Sequence, residues 1–202
     1  MTLAAGIRRW GSLALAAALL TALYLSGSLT WVENRLAAAR FHLIRTAPTG
    51  DIVLVAIDPN SLRDMPVWPW PRQAHAAVIT AIDAAEASQI AINIDFSAAS
   101  TAEADHILSA AIAHAGDRVV LPVFEQPAQD GGGRVVSTAP MLSLIRQARV
   151  ASVNLTPDPD GVVRQVPRFA NWSRALVPSL PVSLAGFEKI STDSFRIDFG
   201  IR

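Results

Sequence analysis

The chain has 202 residues, of which 51% are hydrophobic, and it carries no net formal charge and no cysteine. The balanced charge argues against a nucleic-acid partner, because binding to phosphates requires a surplus of Lys and Arg on one face. The absence of cysteine excludes disulfides, thiolate catalysis and zinc sites built from Cys. The length is sufficient for a membrane anchor followed by one domain.

The first predicted element is a transmembrane helix at residues 10–32. Trp10–Val32 contains no charged residue, and at about 1.5 Å per residue a helix of this length crosses the roughly 30 Å hydrocarbon core. Arg8 and Arg9 precede it, so the positive-inside rule places residues 1–9 in the cytoplasm and the rest outside. A cleaved signal peptide is the alternative, and it would export the domain as well. The predicted location is therefore the inner (cytoplasmic) membrane, with the domain facing the periplasm or the extracellular side.

A juxtamembrane helix is predicted at residues 33–48, and Pro48-Thr49-Gly50 ends it. Residues 49–202 then form one domain in which strands and helices alternate. Continuous aliphatic runs predict strands buried on both faces, and apolar residues at helical spacing predict amphipathic helices. The first five elements of the domain are strands at 51–57, 89–94 and 119–123 and helices at 71–88 and 103–115.

This alternation is typical of right-handed βαβ units. The predicted fold class is therefore α/β, with a mostly parallel sheet flanked by helices in three layers and preceded by one N-terminal transmembrane helix. The remaining elements are predicted as helices at 140–147 and 178–188 and strands at 150–153, 162–166 and 194–199. Because the chain ends at Phe199-Gly200-Ile201-Arg202 without a capping element, the C-terminal part of the domain is expected to be missing.

Two carboxylates follow predicted strands: Asp58 comes after the first strand and Asp95 after the second. Ligands of open α/β sheets bind beyond the carboxyl ends of the strands, so neighbouring strands would bring both side chains to one rim. The functional interpretation is a ligand or cation site, or an acid pair. The structural interpretation is that each aspartate hydrogen-bonds the turn that follows it.

The segment Trp68-Pro69-Trp70-Pro71-Arg72 predicts a stiff extended loop with both indoles on the same side. Arg72 would lie at a helix start, where a cation is electrostatically unfavourable. We therefore expect it to pair with a carboxylate, either Asp58 or Asp95. The loop is either an aromatic and cationic wall for an anionic or planar ligand, or a structural plug held by an Arg–Asp pair. The candidate ligand-binding residues are Asp58, Trp68, Trp70, Arg72 and Asp95.

Motifs of common enzymes are missing from the sequence. It contains no Gly-rich phosphate loop, no Gly-x-Ser-x-Gly elbow and no His-Glu-x-x-His. The four histidines lack the spacing of a metal cluster. We therefore predict no catalytic residue, no metal and no cofactor, and no enzyme activity within these residues.

Several segments together resemble the second class of CHASE domains, which are extracellular sensory domains associated with bacterial cyclases and histidine kinases. The resemblance implies a sensor domain outside the membrane and a cytoplasmic output module, such as a cyclic di-GMP enzyme, a nucleotide cyclase or a kinase. Residues 97–100 depart from the family, whose members carry a more elaborate acidic loop there, and the resemblance supplies no binding residues. The matching segments are IVLVAIDPNSL (52–62), VWPWPR (67–72), IAINIDF (90–96), Asp105 at the start of the next helix, and DPDGVVRQVPRF (158–169).

Three functions are compatible with the sequence. The first is an extracytoplasmic sensory input domain of a bacterial membrane signalling protein. The second is an exported metal-assisted hydrolase that uses Asp58 and Asp95, and the third is a dimerisation module that binds no ligand. The missing nucleophile and metal cluster favour the first. Its expected partners are an unknown small extracytoplasmic ligand, the membrane and a second copy in a homodimer, and no nucleic acid.

Overall fold

The computed structural model describes residues 3–26, 28–44, 46–128, 132–187 and 189–200. These residues belong to two compact units. The smaller unit comprises Met1–Leu54 and Asp198–Arg202, and the larger unit is Val55–Ile197.

The smaller unit contains two helices, α1 (Leu3–Leu25) and α2 (Ser28–Leu43). The backbone N–H of Thr46 donates a hydrogen bond to the Gly200 carbonyl at 2.9 Å. The rings of Phe41 and Phe199 meet edge to face, with 5.8 Å between their centres. Within this unit, the C-terminal end of the described chain therefore lies beside α2 and the segment that follows it.

The predicted transmembrane helix at residues 10–32 is wrong. The uncharged run is divided between α1 and α2, and the serines at this division, Ser26 and Ser28, favour helix ends over helix interiors. Because α1 includes Arg8 and Arg9, its longest uncharged stretch is residues 10–25, which is shorter than the roughly 20 apolar residues of a spanning helix. Among the described residues, no helix combines the length and the apolar character needed to cross a membrane.

The first predicted strand, residues 51–57, is also wrong. The segment belongs to no strand, and Ile52, Val53 and Leu54 are 89%, 82% and 87% exposed. An aliphatic run forms a stable strand only when neighbouring strands accept and donate its hydrogen bonds. Within the described ranges, no strand pairs with this segment. It leads instead to the short helix α3 (Pro59–Asp64).

The larger unit is organised around a four-stranded mixed sheet. Its strands are β1 (Ile90–Ala91), β2 (Val119–Pro127), β3 (Val135–Thr138) and β4 (Arg149–Ser152). The strand β2 is central, because β1 and β4 both pair with it in parallel and β3 pairs with it antiparallel. The first five residues of β2 are buried, as expected for a strand covered on both faces.

Two helices, α4 (Arg72–Ala84) and α5 (Ala102–Ala115), pack against each other and build the core with the sheet. The hydroxyl of Thr101 caps α5 by accepting a hydrogen bond from the Ala104 N–H at 3.2 Å. The helix ends at Gly116, whose positive φ of 66° suits glycine. The buried core comprises Ala76, Ile79, Ile90, Ile92, Phe96, Leu108, Ile112, Ala115, Val119, Leu121 and Leu144.

Smaller elements complete the unit. A 3-10 turn at Gly116–Arg118 leads into β2. The other elements are α6 (Leu142–Ile145), β5 (Gln165–Pro167), β6 (Phe169–Trp172), β7 (Ala175–Pro178), α7 (Leu180–Leu184) and β8 (Ser194–Arg196). Two further antiparallel pairs form, β5 with β8 and β6 with β7.

The predicted mostly parallel sheet is therefore wrong, and the sheets are mixed. Parallel pairing joins only β1, β2 and β4 among the described strands, whereas the other three pairs are antiparallel. The turn residues explain one of these pairs. Ser173 and Arg174 both have positive φ values, 49° and 69°, which is the conformation that closes a two-residue hairpin between β6 and β7. This hairpin and α7 pack against β2 and β4.

Candidate functional site

Arg72 is the first residue of α4, and its side chain reaches two other parts of the larger unit. Its Nε lies 3.4 Å from Oδ1 of Asp105 on α5, and its Nη2 donates a hydrogen bond to the Ala98 carbonyl. Its guanidinium carbon lies 4.6 Å from the centre of the Phe96 ring, within cation–π range. One guanidinium therefore ties the start of α4 to the loop after β1 and to the first turn of α5.

The negative charge of Asp105 compensates for the unfavourable position of the Arg72 cation at a helix start. A carboxylate is favourable near a helix N-terminus, and Asp105 lies in the first turn of α5. Its Oδ2 accepts a hydrogen bond from the Ser100 N–H at 2.9 Å. The side chains of Arg72 and Asp105 are only 12% and 16% exposed, so solvent screens their attraction less than it would at an open surface.

Aromatic rings continue from Phe96 to the loop before α4. The His75 ring packs edge to face on Phe96, with 5.2 Å between centres, and lies 6.1 Å from Trp70. The indole N–H of Trp70 donates to the Met65 carbonyl at 3.3 Å. Burial lowers the pKa of His75, and the positive charge of Arg72 lowers it further. We call Trp70, Arg72, His75, Phe96 and Asp105 the Arg72 cluster.

Asp58 and Asp95, which the sequence predicted at the ends of two strands, hydrogen-bond their own turns. Oδ1 of Asp58 accepts hydrogen bonds from the backbone N–H and the hydroxyl of Ser61, both at 2.8 Å, and so caps α3. The backbone hydrogen bond from Ser61 is the main reason that the pKa of Asp58 is lowered. Asp95 accepts a hydrogen bond from the Ser97 N–H at 2.8 Å. The structural interpretation therefore accounts for the contacts that both aspartates make here.

The other predicted residues are only partly brought together. Trp70 and Arg72 both join the Arg72 cluster. Trp68 is 63% exposed whereas Trp70 is half-buried, so the two indoles do not share one environment. The expectation that Arg72 pairs with Asp58 or Asp95 is wrong, because its ion pair is with Asp105.

Three members of the cluster were not predicted as site residues. His75 follows Arg72 by three positions, so the two share a face of α4. Phe96 directly follows Asp95, and Asp105 is an acidic residue in the first turn of a helix. These signals existed in the sequence, but none of them specifies a partner on another element.

A comparison with known protein families matches residues 14–198 to the CHASE2 domain. The chain belongs to the CHASE2 domain family. CHASE2 domains are extracellular sensory domains, and the resemblance drawn from the sequence is thereby confirmed. Comparisons with curated proteins and with solved structures give no match.

The turn Asp158–Arg164 of this CHASE2 domain is held by its own charges. Nη1 of Arg164 donates to Asp158 at 2.7 Å, and Nη2 donates to Asp160 at 2.7 Å. The hydrogen bond from Arg164 is the main reason that the pKa of Asp160 falls from 3.8 to about 2. Gly161, with φ of 80°, allows the chain to reverse between these residues. The charged side chains of this turn therefore satisfy one another.

The pKa of His75 predicts an acid-sensitive CHASE2 domain. The folded pKa lies below the ordinary 6.5, so the unfolded chain binds a proton more readily than the folded chain. The stabilisation that neutral His75 contributes to the folded state is complete above about pH 6.5 and is lost as the pH falls below that value. We expect the melting temperature to fall between pH 7 and pH 5.

Matched variants test whether His75 causes this acid-induced fall in melting temperature. His75→Phe keeps an aromatic ring and should reduce the acid-induced loss of melting temperature, whereas His106→Phe changes an exposed histidine of α5 and should leave that loss unchanged. Equal pH profiles for wild type and His75→Phe would show that His75 does not cause the effect.

Proposed function

We propose that this CHASE2 domain is the extracytoplasmic sensory input domain of a bacterial membrane signalling protein. The proposed output is a cytoplasmic cyclic di-GMP enzyme, nucleotide cyclase or kinase module. The observation that carries the proposal is the family match over residues 14–198, since the family consists of extracellular sensory domains. The domain would accordingly work in the periplasm or on the extracellular side.

The proposed ligand site comprises Asp58, Trp68, Trp70, Arg72 and Asp95. Support comes first from Trp68, whose exposed indole offers an aromatic face for stacking. Further support comes from Arg72, which brings a guanidinium to the same short loop–helix segment. Indoles and guanidinium groups together recognise planar or anionic molecules. The proposed ligand is therefore a small extracytoplasmic molecule with one of these properties.

Arg72 also supplies a way for binding to alter the fold. It holds the first turn of α5 through Asp105 and the preceding loop through Ala98. A ligand that attracts the guanidinium competes with Asp105 and loosens the link between α4 and α5. A ligand that binds the loosened arrangement more tightly shifts the equilibrium toward it, which is the general requirement for transmitting a signal.

The two alternative functions have less support. A metal-assisted hydrolase needs converging ligands, and in the part of the chain that the structure describes, no three His, Asp or Glu side chains form such a group. A dimerisation module needs a second copy but no ligand. Light scattering together with ligand binding distinguishes it from a sensor.

Thermal melting of the chain against a panel of small anions, aromatic metabolites and divalent cations tests the proposal. A sensor should show a dose-dependent rise in melting temperature with at least one compound, because a ligand that binds the folded state stabilises it. Arg72→Gln, Trp68→Ala and Asp95→Ala should each abolish that rise if the proposed site is correct.

Asp105→Asn is the matched control for Arg72→Gln. It breaks the same ion pair but leaves Arg72 available, so the ligand-induced rise should persist or grow. Each variant alone is expected to lower the free energy of unfolding by about 1.5–3 kcal/mol, since each removes a hydrogen-bonded charge. If no compound shifts the melting temperature and both variants lose only stability, the Arg72 cluster is a structural plug.

The output module is tested by reading the gene beyond codon 202. We expect a coding region for a cyclic di-GMP enzyme, a nucleotide cyclase or a kinase. A gene that encodes none of these would contradict the proposed output while leaving ligand binding by the domain open to the melting experiment.

A further inference from the structure

Arg168 lies in the larger unit between β5 and β6, and its side chain contacts two phenyl rings. Its guanidinium carbon is 5.2 Å from the centre of the Phe187 ring and 5.7 Å from the centre of the Phe195 ring. Phe187 follows α7, and Phe195 lies in β8. Two separate elements therefore supply an aromatic surface to one cation.

The backbone of Arg168 is fixed on both sides. Its N–H donates to the Asp193 carbonyl at 2.9 Å, which extends the β5–β8 ladder, and its carbonyl accepts from the Ser179 N–H at 2.9 Å. The position of Phe187 is fixed at the end of α7, because its backbone N–H donates a hydrogen bond to the Val182 carbonyl at 3.3 Å. The guanidinium and the rings are thus held on ordered backbone, which reduces the entropy lost when a ligand binds.

The guanidinium of Arg168 differs from several others in the chain because its nitrogens contact no acceptor in the described part of the chain. The carboxylate of Asp193, the residue whose backbone carbonyl accepts from the Arg168 N–H, accepts a hydrogen bond from the Ser191 hydroxyl at 2.7 Å instead. Arg168 therefore presents an unused planar set of N–H donors beside two aromatic rings. Other arginines bond carboxylates or carbonyls through their guanidinium groups, among them Arg63, Arg72, Arg118, Arg149 and Arg164.

We propose that Arg168, Phe187 and Phe195 form a second binding site, separate from the Arg72 cluster, for a small organic carboxylate. A guanidinium donates two parallel hydrogen bonds that match the two oxygens of a carboxylate. The rings provide apolar surface for the carbon part of the ligand, and the ring of Phe187 is 57% exposed and accessible. Aromatic carboxylates satisfy both features at once.

Binding of benzoate to the full chain, measured by calorimetry, tests this site. We expect saturable binding of one benzoate and no binding of benzyl alcohol, which has the ring but no carboxylate. Arg168→Gln should weaken benzoate binding about tenfold or more, because it removes the charged donors. Arg146→Gln, at an exposed arginine that caps the end of α6, makes the same charge change and should leave the affinity unchanged.

Two further variants keep the test decisive. If Arg168→Gln does not melt cooperatively, Arg168→Lys replaces it, and the loss of the planar donor set should still weaken binding. Phe195→Leu should weaken the binding of benzoate more than the binding of acetate, since only benzoate has a ring that packs against the phenyl rings. Unchanged benzoate affinity in the Arg168 variants, or tighter binding of inorganic phosphate than of benzoate, would overturn the proposal.

Discussion

Replacing Phe96 by alanine is expected to lower the free energy of unfolding by about 3–5 kcal/mol. The side chain is 1% exposed and belongs to the core between the sheet and the helices α4 and α5. Alanine would leave a cavity and would also remove the ring on which Arg72 and His75 pack. Urea denaturation followed by circular dichroism measures the change, and a loss below about 1 kcal/mol would contradict this view of the core.

Phe96→Leu separates the volume of the side chain from the chemistry of its ring. Leucine fills most of the space, so the expected loss is about 1–1.5 kcal/mol. The cation–π contact with Arg72 is nevertheless removed. If the leucine variant were as unstable as the alanine variant, the ring contacts rather than the filled volume would dominate the contribution of Phe96.

Replacing Arg149 by alanine is expected to cost about 2–3 kcal/mol, since several hydrogen bonds to one charged group are lost together. Arg149 lies at the start of β4, and its guanidinium donates to the Asp117 carbonyl at 2.7 Å, the Ser183 carbonyl at 3.0 Å and the Gln89 side chain at 2.8 Å. It therefore joins four segments, namely β4, the turn before β2, α7 and the residue before β1, and we call this set of contacts the four-way junction.

Two substitutions calibrate this effect by the same denaturation measurement. Arg149→Lys keeps the charge but cannot reach three acceptors with one planar group, so its loss should lie between wild type and Arg149→Ala. Arg146→Ala, three residues earlier and exposed, should change stability by less than about 0.5 kcal/mol. Similar losses for Arg146→Ala and Arg149→Ala would show that the four-way junction contributes little.

The sequence predicted the long helices and the central strands of the larger unit well. Helices predicted at 71–88 and 103–115 correspond to α4 and α5, and strands predicted at 119–123 and 150–153 correspond to β2 and β4. These segments have strong hydrophobic periodicity or continuous aliphatic runs, and they are also buried by neighbours. Local pattern and tertiary contacts therefore agree in these segments.

Errors arose where local pattern and tertiary contacts disagree. The run at 51–57 has the composition of a buried strand, yet Ile52, Val53 and Leu54 remain exposed because no described strand pairs with them. The uncharged run at 10–32 has the pattern of one continuous helix, yet it is divided between α1 and α2. The direction of each strand could not be predicted from the sequence either, since it depends on how each connection turns rather than on the strand residues themselves.

The candidate site was predictable in kind but not in detail. The position of Arg72 at a helix start correctly indicated a carboxylate partner. Asp58, Asp95 and Asp105 all lie at or near the ends of predicted elements, so spacing alone could not select among them. The choice of Asp105 depends on the packing of α5 against α4, which brings the two helix starts together.

The four-way junction at Arg149 also has a consequence for how the larger unit folds. Gln89 precedes Arg149 by 60 residues, and β2 obtains its parallel partners from both sides along the chain. Closing such long loops costs entropy before the contacts compensate, so topologies of this kind fold more slowly than helical bundles. The guanidinium can form its bonds only after these distant segments have met. Its loss should therefore mainly accelerate unfolding and leave the refolding rate little changed.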